Sequence, residues 1–87
     1  MNFVFTDDAW QDYLWWHGQD IVVWQRINSL IEECSRTPHQ GTGKPEPLKH
    51  DLKGYWSRRI TKEHRLVYTF NNERLLILSC RGHYEDV

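Results

Sequence analysis

Among the 87 residues of this chain, one carboxylate, one imidazole and a few cations stand where reactive groups are useful. Glu46 lies between Lys44 and Lys49 in the run GKPEPLKH, on a segment broken by Pro45 and Pro47 that shows neither a helical nor a strand period. A loop that spends lysine, glutamate and proline in this way suits chemistry better than packing. His83 follows Gly82 just beyond the last β-rich run, where a glycine permits an unusual backbone angle and lets the imidazole turn away from a sheet. The plain alternative for His83 is an exposed histidine near the C-terminus. Glu46 can take a proton and His83 can give one, while Arg59, Arg65 and Lys49 can hold a phosphate and the charge that builds on it. Metal-free cleavage of RNA uses such a set. The ribose 2′-OH attacks its own phosphate, a base removes the hydroxyl proton, an acid protonates the leaving 5′-oxygen, and cations steady the phosphorane. The substrate carries the nucleophile, so no activated Ser or Cys is required, and an aromatic such as Tyr84 can stack on a splayed base. On composition alone this is one chemistry among several.

The remaining reactive side chains point elsewhere. His17 falls on the apolar stripe of a first helix and is expected to pack at its boundary. His39 and His50 sit in the loop and His64 in a turn, where exposure is the ordinary state. Cys34 and Cys80 occupy apolar positions of their elements and read as buried thiols rather than as a disulfide or a nucleophile. Cys80-x-x-His83 is half of a metal-ligand pair without a second half at conventional spacing. Gly41-Thr42-Gly43 precedes a proline-rich loop instead of a helix, so it is not a phosphate-binding glycine motif. No cofactor or metal is expected.

These groups must be positioned by a small body. A chain of this length makes one domain, residues 1–87, with a single core and little surplus stability. Its composition, 39% hydrophobic and 26% charged, is that of a soluble globular protein. No apolar run approaches the roughly 20 residues that span a bilayer, and no basic region followed by a long apolar stretch opens the chain; a cytoplasmic protein without a membrane partner is expected. The overall charge of −1 hides a division. Residues 1–40 hold two arginines against six acidic side chains, whereas residues 44–65 hold seven lysines and arginines against three. Such a positive patch on a neutral body can hold an anion locally, although a solvated basic face would look the same.

Hydrophobic periodicity places the elements. Met1–Phe5 reads as a short strand, with Thr6 as a helix N-cap and Asp7 and Asp8 in the first turn. Trp10, Tyr13, Leu14 and His17 recur at helical spacing, and Gly18 with Asp20 suggests a stop and a new cap. Val23, Ile27, Leu30, Ile31 and Cys34 form the apolar stripe of a second helix closed by Pro38. The two helices should pack as an antiparallel hairpin. Residues 39–54 form a loop with one helical turn near Leu48–Leu52. Three strands follow, approximately Tyr55–Ile60, Arg65–Phe70 and Leu75–Arg81, joined by short polar turns as an antiparallel meander. Leu66, Tyr68 and Phe70 should face one way, with Arg65 on the opposite face. The fold class is α+β, with the helices covering one side of the sheet.

The run GKPEPLKHDLKGYWSRRITKEHRLVY, with the ending SCRGHY, closely resembles the YoeB toxins of the RelE/ParE superfamily, from bacterial type II toxin–antitoxin systems. The likeness extends from the first strand to Tyr84. It implies a RelE-like sheet and an mRNA interferase that cuts codons in the A site of the 70S ribosome. It also implies neutralisation by a YefM-like antitoxin, and a homodimer is compatible with it. Carried over by position, Glu46 resembles the general base, His83 the general acid and Arg65 the phosphate-stabilising cation. Arg59 resembles a second cation that orients substrate, Lys49 a phosphate or base contact, and Tyr84 the aromatic that places the nucleotide. The chain departs from the family pattern at Asp51, where Asn is more usual, and in its Glu85-Asp86-Val87 tail. One scaffold hosts several activities, so a non-catalytic inhibitor that binds DNA gyrase, as in the ParE branch, is the competing reading; a third is a nucleic-acid-binding regulator acting within an antitoxin complex. The joint presence of Glu46, Arg65 and His83 favours the nuclease, because a pure binder would not require them.

Overall fold

The computed structural model describes residues 1–83; Tyr84 and the Glu85-Asp86-Val87 tail lie outside the described residues. Strand β1 (Asn2–Phe5) is followed by helices α1 (Asp7–Gln19) and α2 (Ile21–Arg36), then by strands β2 (Glu46–Pro47), β3 (Trp56–Arg59), β4 (Arg65–Phe70) and β5 (Arg74–Ser79). The strands form one mixed sheet in the order β1-β5-β4-β3-β2. The three long runs make the expected antiparallel meander, and β1 adds to it parallel to β5. The chain between these two parallel strands runs through both helices and strands β2 to β4, more than the dozen or so residues that a parallel connection needs. Beyond the meander, the expected loop is partly ordered. Glu46 and Pro47 are not loop but a two-residue edge strand paired to Ser57 and Trp56, a position where proline is tolerated because no ladder partner needs its missing N–H.

Both helix starts follow from capping. Thr6 has extended backbone and its Oγ1 accepts the Ala9 N–H at 3.1 Å. Asp20 ends α1 and caps α2 at once, its carboxylate accepting the Val22 and Val23 N–H groups at 3.1 and 3.2 Å. Gly18 therefore does not stop the first helix, which runs one residue further. A single helical glycine costs only about 1 kcal/mol, and the Asp20 N–H closes the last turn beyond it on the Trp16 carbonyl at 2.9 Å.

The core lies between the helices and one sheet face. Ile27, Leu30, Ile31 and Cys34 of α2 bury their expected stripe against Leu66, Tyr68, Leu75 and Ile77. Helix α1 is rotated relative to expectation. Ala9 and Trp16 are buried, while Trp10 and Leu14 are 45% and 47% exposed. His17 is exposed too, with its ring edge-on to Trp24 at 4.8 Å. The run WQDYLWWH is apolar on more than one side, and the face that carries the small Ala9 wins because it lets the helix approach Cys80, whose Sγ lies 3.7 Å from the Ala9 carbonyl.

Arg58 joins the layers. It shares the helix-facing row of β3 with its register partner Leu66 and has no exposure to solvent. Its Nε donates to the Tyr68 hydroxyl at 3.2 Å, Nη1 donates to the Glu33 carboxylate and to the Thr42 carbonyl, and Nη2 donates to the carbonyls of Thr37 and Gln40. The Tyr68 hydroxyl in turn donates a hydrogen bond to the Pro38 carbonyl at 2.8 Å. Glu33 also accepts the Thr42 N–H at 2.6 Å and the Thr42 hydroxyl at 3.0 Å. The network pins the segment between α2 and β2 to the sheet. Gly43 follows with φ of +88°, its carbonyl accepting the Arg59 N–H at 2.7 Å. A Cβ there would stand 3.0 Å from the Arg59 carbonyl oxygen, so only glycine lets the chain pass this close.

The electrostatics agree with the geometry. Burial opposes the Arg58 charge, but the groups around it, Tyr68 foremost, outweigh that and raise its pKa. The Thr42 amide, with the Thr42 hydroxyl and Arg58, holds the Glu33 carboxyl below its ordinary 4.5 despite the opposing desolvation. Replacing Arg58 with Ala leaves several buried acceptors unpaired and should cost at least about 3 kcal/mol in urea unfolding. A carboxyl whose folded pKa is depressed stabilises the fold at pH above its unfolded value, and that contribution is lost as pH falls through the folded value. Stability of the wild type should therefore decline below pH 4.5, and Glu33→Gln should flatten that part of the profile when unfolding is measured at each pH.

Candidate functional site

Sheet register sorts the basic stretch onto two faces. Arg58 points to the helices, so its neighbours Ser57 and Arg59 point away from them. Ser57 pairs with Glu46 on β2 and with Val67 on β4, and Arg59 pairs with Arg65. Glu46, Arg59 and Arg65 therefore share the face that the helices leave uncovered. Ideal strand spacing places the Glu46 and Arg59 backbones roughly 8 Å apart, a span that a phosphodiester and two long side chains fill. Ser57 and Val67 form the buried floor between them, and the Ser57 hydroxyl has no hydrogen-bond partner among the described residues.

The two arginines on this face differ in how firmly they are held. Arg65 is 9% exposed. Its Nη1 donates to the carbonyls of Thr61, Lys62 and His64 at 2.9, 3.1 and 3.1 Å, so the preceding turn fixes the guanidinium before any anion arrives. Arg59 is exposed, as are Glu46 and Lys49. Lys49 lies immediately before a single 3-10 turn, His50–Leu52, in the stretch that follows β2. It is close to Glu46 in the chain, but no contact among the described residues places its ammonium in the group on the sheet face.

His83 is brought to the same end of the sheet by the chain beyond β5. The Cys80 N–H donates to Asp12 Oδ2 at 3.1 Å, and the Cys80 carbonyl accepts from Trp16 Nε1 at 2.8 Å. Gly82 has φ of +83°. Its N–H donates to His64 Nδ1 at 2.8 Å, and its carbonyl accepts the Arg65 N–H at 2.9 Å. The half-buried His83 thus emerges beside the first residue of β4. Tyr84, assigned to nucleotide placement by resemblance, lies outside the described residues. Asp12, Trp16 and His64 hold this segment and were not legible as such. His64, expected to be exposed, is half-buried with its ring edge-on to Trp16 at 4.8 Å. Its partner lies 18 residues away, and no local pattern announces a contact at that separation.

Similarity to known proteins accords with the fold. At the level of fold, the chain has the architecture of the RelE/YoeB-type toxins: the RelBE2 toxin–antitoxin complex of Mycobacterium tuberculosis superposes with a TM-score of 0.71 at 24% identity, over 94% of this chain and 96% of that one. Residues 5–84 match the YoeB-like toxin of bacterial type II toxin-antitoxin system. Toxin YoeB of Escherichia coli K12 is 52% identical over 97% of this chain and 100% of its own length. The solved YoeB/ParE toxin from Agrobacterium tumefaciens superposes with a TM-score of 0.92 at 50% identity, covering 97% and 100% of the two chains. YoeB in the heterotetrameric YoeB–YefM complex from Staphylococcus aureus gives 0.89 at 42% identity, covering 97% and 98%. The chain belongs to the YoeB-like toxins of type II toxin–antitoxin systems.

Thiol chemistry is set aside by burial. Both cysteines are free and buried. Desolvation pushes the Cys34 thiol up to about 11 and the Cys80 thiol up to about 12, so neither offers a thiolate near neutral pH. Among the described residues no three His, Cys, Asp or Glu side chains cluster as metal ligands would, and no helix is long and apolar enough to cross a membrane. An aromatic thiol reagent at pH 8 should leave the folded protein unlabelled on the timescale that modifies free cysteine, and label both thiols once guanidinium unfolds it. Rapid labelling of the native protein would contradict this burial.

Proposed function

We propose that this toxin is an endoribonuclease that cleaves mRNA in the A site of the translating ribosome, without a metal ion, and so inhibits translation. The observation that supports the reading best is the shared sheet face. Register puts Glu46 and the Arg59–Arg65 pair on one surface, and the Gly82–Arg65 bond delivers His83 to its end. In this scheme Glu46 takes the 2′-OH proton as that oxygen attacks the adjacent phosphorus. The P–O5′ bond breaks as His83 protonates the departing oxygen, leaving a 2′,3′-cyclic phosphate and a 5′-hydroxyl. Arg65, already fixed by three carbonyls, stabilises the charge on the phosphorane without reorganising. Arg59 orients the phosphate, Lys49 contacts the neighbouring backbone or base, and Tyr84 stacks on the nucleotide.

The partners follow from the same surfaces. The S. aureus YoeB is complexed with YefM, and a YefM-like antitoxin is proposed here as well. An acidic and apolar segment would mask the basic face. A second copy of the toxin is a further proposed partner, and the cytoplasm is where messages and ribosomes are met.

Incubating the purified protein with mRNA, with and without programmed ribosomes, tests the reading. Glu46→Gln and His83→Ala should each lower the cleavage rate at least ~100-fold, the scale of a lost acid or base, while leaving thermal unfolding unchanged. Strong cutting by either variant would remove the role assigned to it. Intact messages together with failed DNA supercoiling would favour the gyrase-binding alternative.

A further inference from the structure

Gly82 is the last joint before His83, and both peptide planes that flank it are held. The plane between Arg81 and Gly82 is fixed by the bond from its N–H to His64 Nδ1, and the plane between Gly82 and His83 by the bond from its carbonyl to the Arg65 N–H. Consecutive residues at the start of β4 thus supply the two holds, one by side chain and one by backbone. A glycine at positive φ has wide freedom if either plane is released. The direction in which His83 leaves the sheet depends on both.

His64 is built to serve as one of them. Its backbone is fixed before its ring is used: the carbonyl accepts from Ile60 and Thr61 at 2.9 and 3.3 Å, and its N–H donates to the Thr61 hydroxyl at 3.2 Å. Its ring meets Trp16 at an interplanar angle of 88°, and that same indole holds the Cys80 carbonyl through its nitrogen. One aromatic therefore steadies both the acceptor at Gly82 and the chain two residues before it. For Nδ1 to accept the amide proton, the imidazole must be neutral with its own proton on Nε2.

We propose that His64 is a positioning residue for the reaction: its unprotonated Nδ1, acting through the Gly82 amide, sets the direction in which His83 reaches the scissile phosphate. His64 itself touches no reacting atom. This rests on the ribonuclease reading, and the test keeps the two apart.

His64→Ala removes the acceptor, and His64→Asn retains an oxygen near the place of Nδ1. Misplacing a reacting group by about 1 Å costs on the order of 100-fold in rate. The Ala variant should lose about that factor in kcat for ribosome-bound message with KM little changed, and the Asn variant should recover most of the loss. If the wild type does not cleave, the ribonuclease reading fails. If the wild type cleaves and His64→Ala cleaves equally well, or if His64→Asn is as impaired as His64→Ala, the positioning role alone is overturned. A second measurement needs no activity and no variant that must fold. In 15N spectra of the native toxin, His64 should be the Nε2–H tautomer, and the Gly82 amide should be protected from exchange; an Nδ1–H tautomer would also overturn the proposal.

Discussion

The fold depends on a guanidinium with no access to water. Arg58 lies among the apolar side chains between the sheet and α2, where an unpaired charge would be untenable. It is tolerated because Tyr68, Glu33 and three backbone carbonyls surround it. Those partners come from α2, from the segment after it and from β4, so satisfying one side chain draws three parts of the chain together. An apolar residue of similar volume could fill the space, but it would not give the segment between α2 and β2 a single path. Hydrogen bonds are directional and apolar contacts are not, and the segment needs direction because it carries the chain to Glu46.

That constraint also explains the division of labour between Arg58 and Arg59. Adjacent residues of one strand face opposite ways, so a Ser-Arg-Arg run on β3 sends one arginine into the core and the next to the open face. The first arginine is spent on structure. The second keeps company with Arg65 across the ladder, and Glu46 occupies the neighbouring strand on the same face. Part of the positive charge of residues 44–65 is therefore unavailable to any anion. The basic stretch is less of an electrostatic patch than its charge count suggests, and more of a frame with a few exposed cations mounted on it.

The sequence discloses these levels unevenly, for physical reasons. The stripe of α2 was legible because its polar and apolar residues alternate cleanly at the helical period. The stripe of α1 was not, because Trp10, Tyr13, Leu14, Trp15 and Trp16 offer more than one apolar face and tertiary packing decides among them. The opposite orientations of Arg65 and the Leu66, Tyr68 and Phe70 row followed from strand alternation. Glu46 was recognised by residue type, but its place on an edge strand was hidden, since two residues hold no period and Pro47 argues against a strand. The supports of His83 were hidden most deeply. Asp12, Trp16 and His64 act through partners 68, 64 and 18 residues away, and one sequence carries no record of such pairings.

The placement of these groups implies a graded rigidity across the site. Arg65 is locked by its own turn and belongs to a central strand, so it can offer charge without reorganising. Before His83, Gly82 and Cys80 are held by side chains from α1 and the β3–β4 turn and by the Arg65 N–H. Glu46 stands on an edge strand two residues long, tied to β3 on one side and open on the other. In the proposed reaction, the cation assigned to the phosphorane is thus on the firmest support, and the assigned base stands on the shortest. On that proposal the fixed cation would define where the phosphate must come, with Glu46 facing it from the edge strand and His83 from beyond β5.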